Sequence, residues 1–258
     1  MLEFPILSPL ARRRGWPYVM SWMHRLTGLF LAVFVLFHIK TLSLIAQAGA
    51  YEARMAVFAG PFFVFLEWAL AFPVMLHAVN GGRLILFESF SFRNDNVLLK
   101  NVFIVAGLYA SVLAILMQLG EQAMTPLAFW LPALVFSLAV SWGLARRMLA
   151  CGLPAIFTLQ RVTGAFLLIM IPAHLLFMHL SPEVAKSSAV VTARLRLGMI
   201  QVVDTTLVAA ILYHMAHGLI SVISDYLASG PARTLLAAAV ILLLGFFGRI
   251  GLQLIWSL

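Results

Sequence analysis

The stretch HRLTGLFLAVFVLFH, residues 24–38, begins with a histidine and an arginine, continues as an apolar run and ends on a histidine. A second stretch, RVTGAFLLIMIPAH at residues 161–174, repeats the pattern, with its histidine again thirteen residues after the arginine. Both stretches belong to apolar segments long enough to span a bilayer, which takes about 20 residues in a helix. A histidine at the far end of such a segment is costly to bury, so it predicts a functional role.

The composition predicts an integral membrane protein. Of the 258 residues, 63% are hydrophobic and 10% are charged, and the mean hydropathy is +1.04, whereas soluble domains carry roughly 45–50% apolar and about 25% charged residues. The net charge of +8 comes from lysines and arginines at the ends of apolar segments. That distribution is typical of membrane topology and excludes a nucleic-acid partner. The single cysteine, Cys151, excludes an internal disulfide and a metal site made of cysteines alone.

Seven apolar segments are long enough to cross a membrane, so the expected fold is an all-α integral membrane protein with about seven transmembrane helices. The segments are residues 20–46, 61–87, 99–119, 127–148, 157–179, 203–227 and 234–257. The connections between them are short, and the two longest, 47–60 and 180–202, are expected to contain amphipathic pieces.

The distribution of lysine and arginine predicts a cytoplasmic N-terminus, because these residues are more frequent in cytoplasmic loops. The expected cytoplasmic side carries Arg12, Arg13, Arg14, Arg83, Arg93, Lys100, Arg146, Arg147, Arg161 and Arg233. The expected external side carries Lys40, Arg54, Lys186, Arg194 and Arg196. An odd number of spans then places the C-terminus outside.

The chain contains an internal repeat. Besides the two Arg-x-Thr-Gly stretches, it has two histidines that are each followed four residues later by glycine: His77 with Gly81, and His214 with Gly218. The repeat predicts two related three-helix halves. Because two halves with the same orientation need one more span between them, a linking helix is expected. The predicted units are the first half, the linking helix and the second half: residues 1–120, 121–150 and 151–258.

Four histidines lie inside the predicted spans, on helices 1, 2, 5 and 6: His38, His77, His174 and His214. At ~1.5 Å per residue, His38 and His174 lie ~20 Å from the cytoplasmic interface. The other two lie only ~9 and ~16 Å from the nearest charged residue on the same scale. The expected pairs are therefore His38 with His174 in an outer layer and His77 with His214 in an inner layer.

Two facing imidazoles in an apolar helix bundle fit the axial ligation of haem iron, so the two pairs predict two haem b groups. Small residues near the histidines would let a flat macrocycle approach the backbone: Gly28, Gly81, Gly82, Gly164 and Gly218. Zinc is less favoured, because no carboxylate or cysteine accompanies the histidines. A proton relay is also less favoured, since the spans add only Glu67 and Asp204 near their outer ends.

Several short motifs resemble those of the cytochrome b membrane anchor of succinate:quinone oxidoreductases, the succinate dehydrogenases and fumarate reductases. They are Ser21-x-x-His24-Arg25-x-Thr27-Gly28, His77-x-x-x-Gly81-x-Arg83, His214-x-x-x-Gly218 and Asp225-Tyr226. The first half is similar to the larger anchor subunit of two-subunit members and the second half to the smaller one. Single-haem members have ligands that match His77 and His214, and single-chain di-haem members have a further pair that matches His38 and His174.

The resemblance implies a role in electron transport, in the respiratory chain and the tricarboxylic acid cycle. A peripheral flavoprotein subunit oxidises succinate or reduces fumarate, an iron–sulfur subunit carries the electrons, and the anchor exchanges them with membrane quinone. The dicarboxylate active site lies on another subunit, so this chain is expected to contribute no catalytic residue to it. The implied location is a prokaryotic inner (cytoplasmic) membrane, in contact with lipid.

The resemblance also implies a quinone site where helices 1 and 6 meet the cytoplasmic face, lined by Ser21, Arg25, Asp225 and Tyr226. Tyr226 would donate a hydrogen bond to a quinone carbonyl, Arg25 would stabilise developing negative charge, and Asp225 would help to supply protons. Two alternatives stay open. Tyr226 is also the type of residue that anchors helices at the membrane interface, and Arg25 and Arg161 are candidates for binding haem propionates.

Some features depart from the resemblance. Compact di-haem members have five helices rather than seven, and the glutamate that some of them carry two residues before the last ligand is Leu212 here. His217, three residues after His214, is an alternative ligand on the same helix. Two other functions stay open: a di-haem cytochrome b anchor of the hydrogenase or formate dehydrogenase type, and a haem-free transporter built from two parallel halves.

Overall fold

The computed structural model describes residues 7–47, 49–90, 92, 94–120, 122, 124–180 and 187–257. In that part of the chain every regular element is a helix, which confirms the predicted all-α class. The loop charges Arg93 and Lys186, which helped to orient the chain above, lie outside the described residues.

Seven helices among the described residues are long and apolar enough to cross a membrane, as predicted. They are α2 Trp16–Leu42, α4 Pro61–Phe90, α5 Asp95–Leu119, α6 Pro126–Ala150, α7 Ala155–Leu180, α9 Gly198–Tyr226 and α10 Pro231–Ser257. A 3-10 turn, Ser43–Ala46, extends α2. Three shorter helices are α1 Leu7–Arg14, α3 Ala50–Phe58 and α8 Ser188–Leu195. The last two, α3 and α8, lie in the two long connections, which were expected to contain amphipathic pieces.

Local sequence signals set where several spans begin. Proline lies in the first turn of four of them, where its fixed φ angle favours helix initiation: Pro17, Pro61, Pro126 and Pro231. Before α5, the side chain of Asn94 accepts a hydrogen bond from the Val97 N–H at 3.4 Å. The span α2 therefore begins at residue 16 instead of the predicted 20, because hydropathy alone does not register a proline that initiates a helix.

Four helices form a ring at the centre of the molecule, in which α2 and α7 each pack against both α4 and α9. The chain direction alternates around the ring, so α2 and α7 run the same way and face each other across one diagonal. The helices α4 and α9 run the opposite way across the other diagonal. His38 and His174 lie on the first diagonal, and His77 and His214 lie on the second.

The two ends of the ring differ. We call the end that carries Arg25 and Arg161 the arginine end, and the other end, where α3 and α8 lie, the α3 end. Glu52 of α3 accepts hydrogen bonds from the backbone N–H of Ser188, at 3.0 Å, and from its hydroxyl group. This contact joins the two short helices at the same end of the ring.

The remaining spans pack on the outside of the ring. The helix α5 contacts α4 and α7, α6 contacts α7 and α9, and α10 contacts α9 and α2. Large apolar side chains point outward from several spans, and the most exposed include Phe37, Phe62, Leu235 and Leu242, at 66–74%. Such a surface is stable in lipid and not in water, which agrees with a multi-pass membrane protein.

Candidate functional site

The first histidine pair is formed by His38 of α2 and His174 of α7, towards the α3 end. Their ring centroids are 6.2 Å apart, and the rings are almost perpendicular, at 86°. Phe34 stacks on His38 at 5.8 Å, and Trp130 of α6 lies 6.1 Å from His174. The linking helix α6 therefore contributes an aromatic wall to this pair, a contact that the sequence did not indicate.

The second pair, His77 of α4 and His214 of α9, has nearly the same geometry. The ring centroids are again 6.2 Å apart, at an angle of 88°. Each imidazole ring packs against a glycine of a neighbouring helix of the four-helix ring, His77 against one on α2 and His214 against one on α7. A Cβ atom added to Gly28 would lie 2.9 Å from Cε1 of His77, and one added to Gly164 would lie 3.3 Å from Cε1 of His214. Both glycines belong to the Arg-x-Thr-Gly repeat, so the repeat gives these two histidines equivalent positions.

The glycine contacts also fix the level of each pair along the ring. Gly28 precedes His38 by ten residues, and Gly164 precedes His174 by ten. At ~1.5 Å per residue, both halves therefore separate the two pairs by ~15 Å. The members of the second pair lie at one common level, which corrects the unequal depths expected from the loop charges.

The error in the expected depths traces to Arg83, which was used as a marker of the membrane interface. Its side chain is buried and donates to both carboxylate oxygens of Asp95 on α5, at 2.8 and 3.0 Å. It also donates to the side-chain oxygen of Asn80 at 2.9 Å. Arg83 thus joins α4 to α5 inside the protein, and its position says little about the membrane surface.

Hydrogen bonds orient the ring of His77. Its Nδ1 lies 3.1 Å from the carbonyl oxygen of His24 and 3.4 Å from Oγ1 of Thr27. The carbonyl oxygen can only accept, so the network assigns the ring proton to Nδ1 and leaves the lone pair of Nε2 available to a metal. The ring of His24 stacks on His77, with centroids 4.0 Å apart. His24 therefore packs at the helix interface, beside the ring that it helps to orient.

Within the two pairs, Nδ1 of His174 and Nδ1 of His214 are shielded from solvent and lack a hydrogen-bond partner in the described part of the chain, as do Nδ1 of His24 and Nε2 of His179 outside the pairs. Buried polar atoms normally have a hydrogen-bond partner, and these nitrogens, unlike Nδ1 of His77, find none in the described part of the chain. Metal–imidazole bonds of ~2.0–2.1 Å on opposite sides of one metal would set two ring centres ~6 Å apart. Both pairs have that spacing, at 6.2 Å.

Each pair therefore fits haem iron, which can take both of its axial ligands from histidines. No group of three or more His, Cys, Asp or Glu side chains that could hold a metal ion occurs among the described residues. A haem iron needs only two ligands from the protein, because the macrocycle provides the remaining ones. All four histidine side chains keep part of their surface accessible, and His38 is exposed. A flat macrocycle can therefore pack against these accessible ring surfaces.

Three of the four residues expected at a quinone site meet at the arginine end. Nη2 of Arg25 lies 2.7 Å from Oδ2 of Asp225, and Nη1 of Arg25 donates to the hydroxyl oxygen of Tyr226 at 3.2 Å. The ring of Trp22 lies 6.2 Å from that of Tyr226, which is 55% exposed. Ser21 lies one helical turn before Arg25 and is exposed, and no hydrogen bond within the described part of the chain joins it to the group.

The sequence model of the family described as succinate dehydrogenase/fumarate reductase transmembrane subunit matches two stretches of the chain, residues 10–116 and 154–250. The chain belongs to this family. It is also similar to succinate dehydrogenase 2 membrane subunit SdhC of Mycobacterium tuberculosis, with 31% identity over 85 residues. That match covers 32% of this chain and 62% of the length of the relative. No solved structure matches the chain significantly.

Family membership confirms the resemblance that the motifs indicated. The chain is a membrane-spanning anchor subunit of the succinate dehydrogenase/fumarate reductase family. This result disfavours the hydrogenase-type or formate dehydrogenase-type anchor and the haem-free transporter. The two matched stretches leave out residues 117–153, where the linking helix α6 lies.

Sequence reasoning missed Glu88 in this transmembrane subunit. Arg161 donates to both carboxylate oxygens of Glu88, at 2.7 and 2.9 Å. This ion pair resembles the one between Arg25 and Asp225, since one joins α7 to α4 and the other joins α2 to α9. A signal was present, because each carboxylate follows the pair-forming histidine of its own helix by eleven residues. Two ion pairs therefore connect neighbouring helices of the ring at the arginine end.

Two further histidines of the subunit lie outside the pairs. His217 stacks on Tyr213, with ring centroids 6.4 Å apart, while His214 is the residue that faces His77. His179 lies 3.7 Å from the carboxylate of Glu67. The structure thus gives His217 a neighbour on its own helix instead of a partner across the ring.

Proposed function

We propose that the chain is a di-haem cytochrome b, the membrane anchor of a succinate dehydrogenase or fumarate reductase complex, and that it passes electrons between the iron–sulfur subunit and membrane quinone. The observation that carries this proposal is the equal geometry of the two pairs, with centroids 6.2 Å apart and nearly perpendicular rings. One haem b is held by His77 and His214, the other by His38 and His174. Haem iron with two histidine ligands supplies one-electron redox chemistry.

The two haem sites are built by two related halves, residues 1–120 and 151–258, with residues 121–150 as the link. The two stretches that match the family, one in each half, support this division. The equivalent contacts of Gly28 with His77 and of Gly164 with His214 support it as well. Because each pair takes one histidine from each half, neither half binds a haem alone.

The arginine end faces the cytoplasm of a prokaryotic cell, with the N-terminus on that side of the inner membrane. Exposed arginines at this end supply a positive surface, as expected for a cytoplasmic face: Arg12, Arg13, Arg14, Arg146 and Arg147. The iron–sulfur subunit docks on this surface and connects the anchor to the flavoprotein subunit. The His77–His214 pair is the nearer of the two to that docking surface, so a haem held by these residues would supply one-electron redox chemistry on that side.

Quinone binds beside Arg25, Asp225 and Tyr226, with Ser21 at the rim. Tyr226 accepts a hydrogen bond from Arg25, so it keeps its own hydroxyl proton to donate to a quinone carbonyl. The guanidinium of Arg25 stabilises the negative charge that develops on the quinone oxygen during reduction. The carboxyl group of Asp225 exchanges protons between that oxygen and the cytoplasm, a role that its exposed side chain permits.

The haem-to-protein ratio of the purified complex tests the proposal. We expect two haem b per chain in the wild type and one in His38→Ala or His174→Ala, with the spectrum of the remaining haem unchanged. His217→Ala, on the same helix as His214 but outside both pairs, is the matched control and should keep two. A wild-type ratio of one would refute the His38–His174 site, and a membrane without a b-type spectrum would refute haem binding altogether.

A further inference from the structure

Arg194, on α8 at the α3 end, is a cation with one hydrogen-bond donor that lacks an acceptor among the described residues. Its Nη1 contacts Sδ of Met178 at 4.0 Å, and its Nε is shielded from solvent without a partner in the described part of the chain. Burial lowers the pKa of this guanidinium, although the nearby Asp204 and Tyr51 act in the opposite direction. No ion pair within 4.0 Å joins Arg194 to a carboxylate among the described residues.

The position of Arg194 relates it to the first histidine pair. Met178, which it contacts, follows His174 by four residues on α7, a separation of ~6 Å along the helix at ~1.5 Å per residue. Arg194 therefore lies just beyond this pair, on its α3 side.

Trp130 provides a second hydrogen-bond donor without an acceptor, beside the turn of α7 between His174 and Met178. Its side chain is 1% exposed, its ring lies 6.1 Å from His174 and 5.4 Å from Phe177, and its Nε1–H has no hydrogen-bond partner among the described residues. An indole nitrogen can only donate, so its missing partner is an acceptor. Two donors shielded from solvent, the charged Arg194 and the neutral Trp130, thus lie beside the turn of α7 that follows His174.

We propose that Arg194 and Trp130 bind a carboxylate at the α3 side of the His38–His174 pair. A guanidinium offers a fork of donors that matches a carboxylate, and a charge-assisted hydrogen bond of this kind is among the strong ones. The carboxylate also removes the cost of a partly buried, unpaired cation. The inference rests on the proposed function, in which that carboxylate is a propionate of the haem held by His38 and His174.

The midpoint potentials of the two haems in the purified complex test this inference. A positive charge near the iron favours the reduced state, so Arg194→Gln should lower one potential and leave the other unchanged. We expect roughly a tenfold change in the reduction equilibrium, which is ~59 mV for one electron. Arg194→Lys should restore most of it, and Trp130→Phe should give a smaller shift of the same haem. The control is Arg54→Gln, an exposed arginine of α3 at the same end, which should shift neither potential.

The outcomes separate the inference from the proposed function. A wild-type complex with one haem would refute the proposed function, whereas two haems with unshifted potentials in Arg194→Gln would refute the carboxylate site alone. If Arg194→Gln does not accumulate, unshifted potentials in Trp130→Phe would refute the role of Trp130 in the same way. An anionic lipid is the other source of an acceptor. A potential that differs between phosphatidylcholine vesicles and vesicles with added phosphatidylglycerol in the wild type, and not in Arg194→Gln, would assign the site to lipid and overturn the propionate.

Discussion

Replacing Gly28 by alanine should displace the ring of His77, and replacing Gly164 should disturb His214 much less. The added methyl group would lie 2.9 Å from Cε1 of His77 in the first variant and 3.3 Å from Cε1 of His214 in the second. Carbon atoms pack best at ~3.5–4.0 Å. The His77 ring must therefore move by at least ~0.6 Å and the His214 ring by at least ~0.2 Å to restore an ordinary contact.

The expected cost follows from the size of these movements. Overpacking of this kind costs about 1–3 kcal/mol, while alanine in a helix interior is favoured over glycine by about 0.8–1.0 kcal/mol. Gly28→Ala should be destabilising on balance, because His77 is also tied to the carbonyl oxygen of His24 and cannot move freely. Gly164→Ala should be close to neutral, since the required shift is small and Nδ1 of His214 has no hydrogen bond to lose.

The assay compares these two variants with Gly107→Ala, whose added methyl group meets no atom within 4 Å. The thermal unfolding temperature in detergent and the absorption spectrum of the reduced haems are measured for each. We expect a lower unfolding temperature and a shifted haem band for Gly28→Ala only, with Gly107→Ala unchanged or slightly more stable. A Gly28→Ala protein that matches Gly107→Ala in both measurements would refute the close approach of His77 to α2.

Three further predictions concern the ends of the ring. The double-mutant cycle of Arg161→Gln and Glu88→Gln should give a coupling energy of roughly 0.5–1 kcal/mol in chemical unfolding, since the pair is partly exposed; zero coupling would contradict the ion pair. Hydrogen bonds from Ser188 hold the pKa of Glu52 below its usual value, so their stabilisation is complete above the ordinary glutamate pKa of ~4.3 and is lost as the pH falls through the lowered pKa. The difference in unfolding temperature between the wild type and Ser188→Ala should shrink in acid, and a difference that stays constant would refute this linkage. Tyr226→Phe should slow quinone reduction by about tenfold, the equivalent of one hydrogen bond, with both haems retained, whereas an unchanged rate would leave Tyr226 as an interfacial anchor.

The part of the candidate site that lies in the internal repeat could be predicted from the sequence. The repeat predicted which histidines face each other, and the structure has those rings in contact. The depth of His77 was predicted poorly, because Arg83 turns into the protein to bind Asp95. Hydropathy and charge do not reveal the direction of a long side chain, so an arginine near the end of a span is an unreliable marker of depth in the membrane.

Residues that reach the histidines from outside the repeat could not be predicted. Trp130 lies on the linking helix and Arg194 on a short extramembrane helix. Neither has a motif or a repeat-related counterpart that would assign it to the His38–His174 pair. Their contacts depend on how α6 and α8 are rotated and tilted against α7, which is decided by packing and has no periodic trace in the sequence.

The sequence by itself determined the seven spans, the all-α class and the two-fold repeat. Hydrophobic length and residue spacing decide these properties, because a bilayer admits only segments whose backbone is hydrogen-bonded internally. The tertiary structure decided that the four histidine-bearing helices close into one ring with a pair on each diagonal. It also decided that the ion pairs of Arg25 and Arg161 connect neighbouring helices of that ring. Those contacts join residues far apart in the chain, and only side-chain packing between helices brings such residues together.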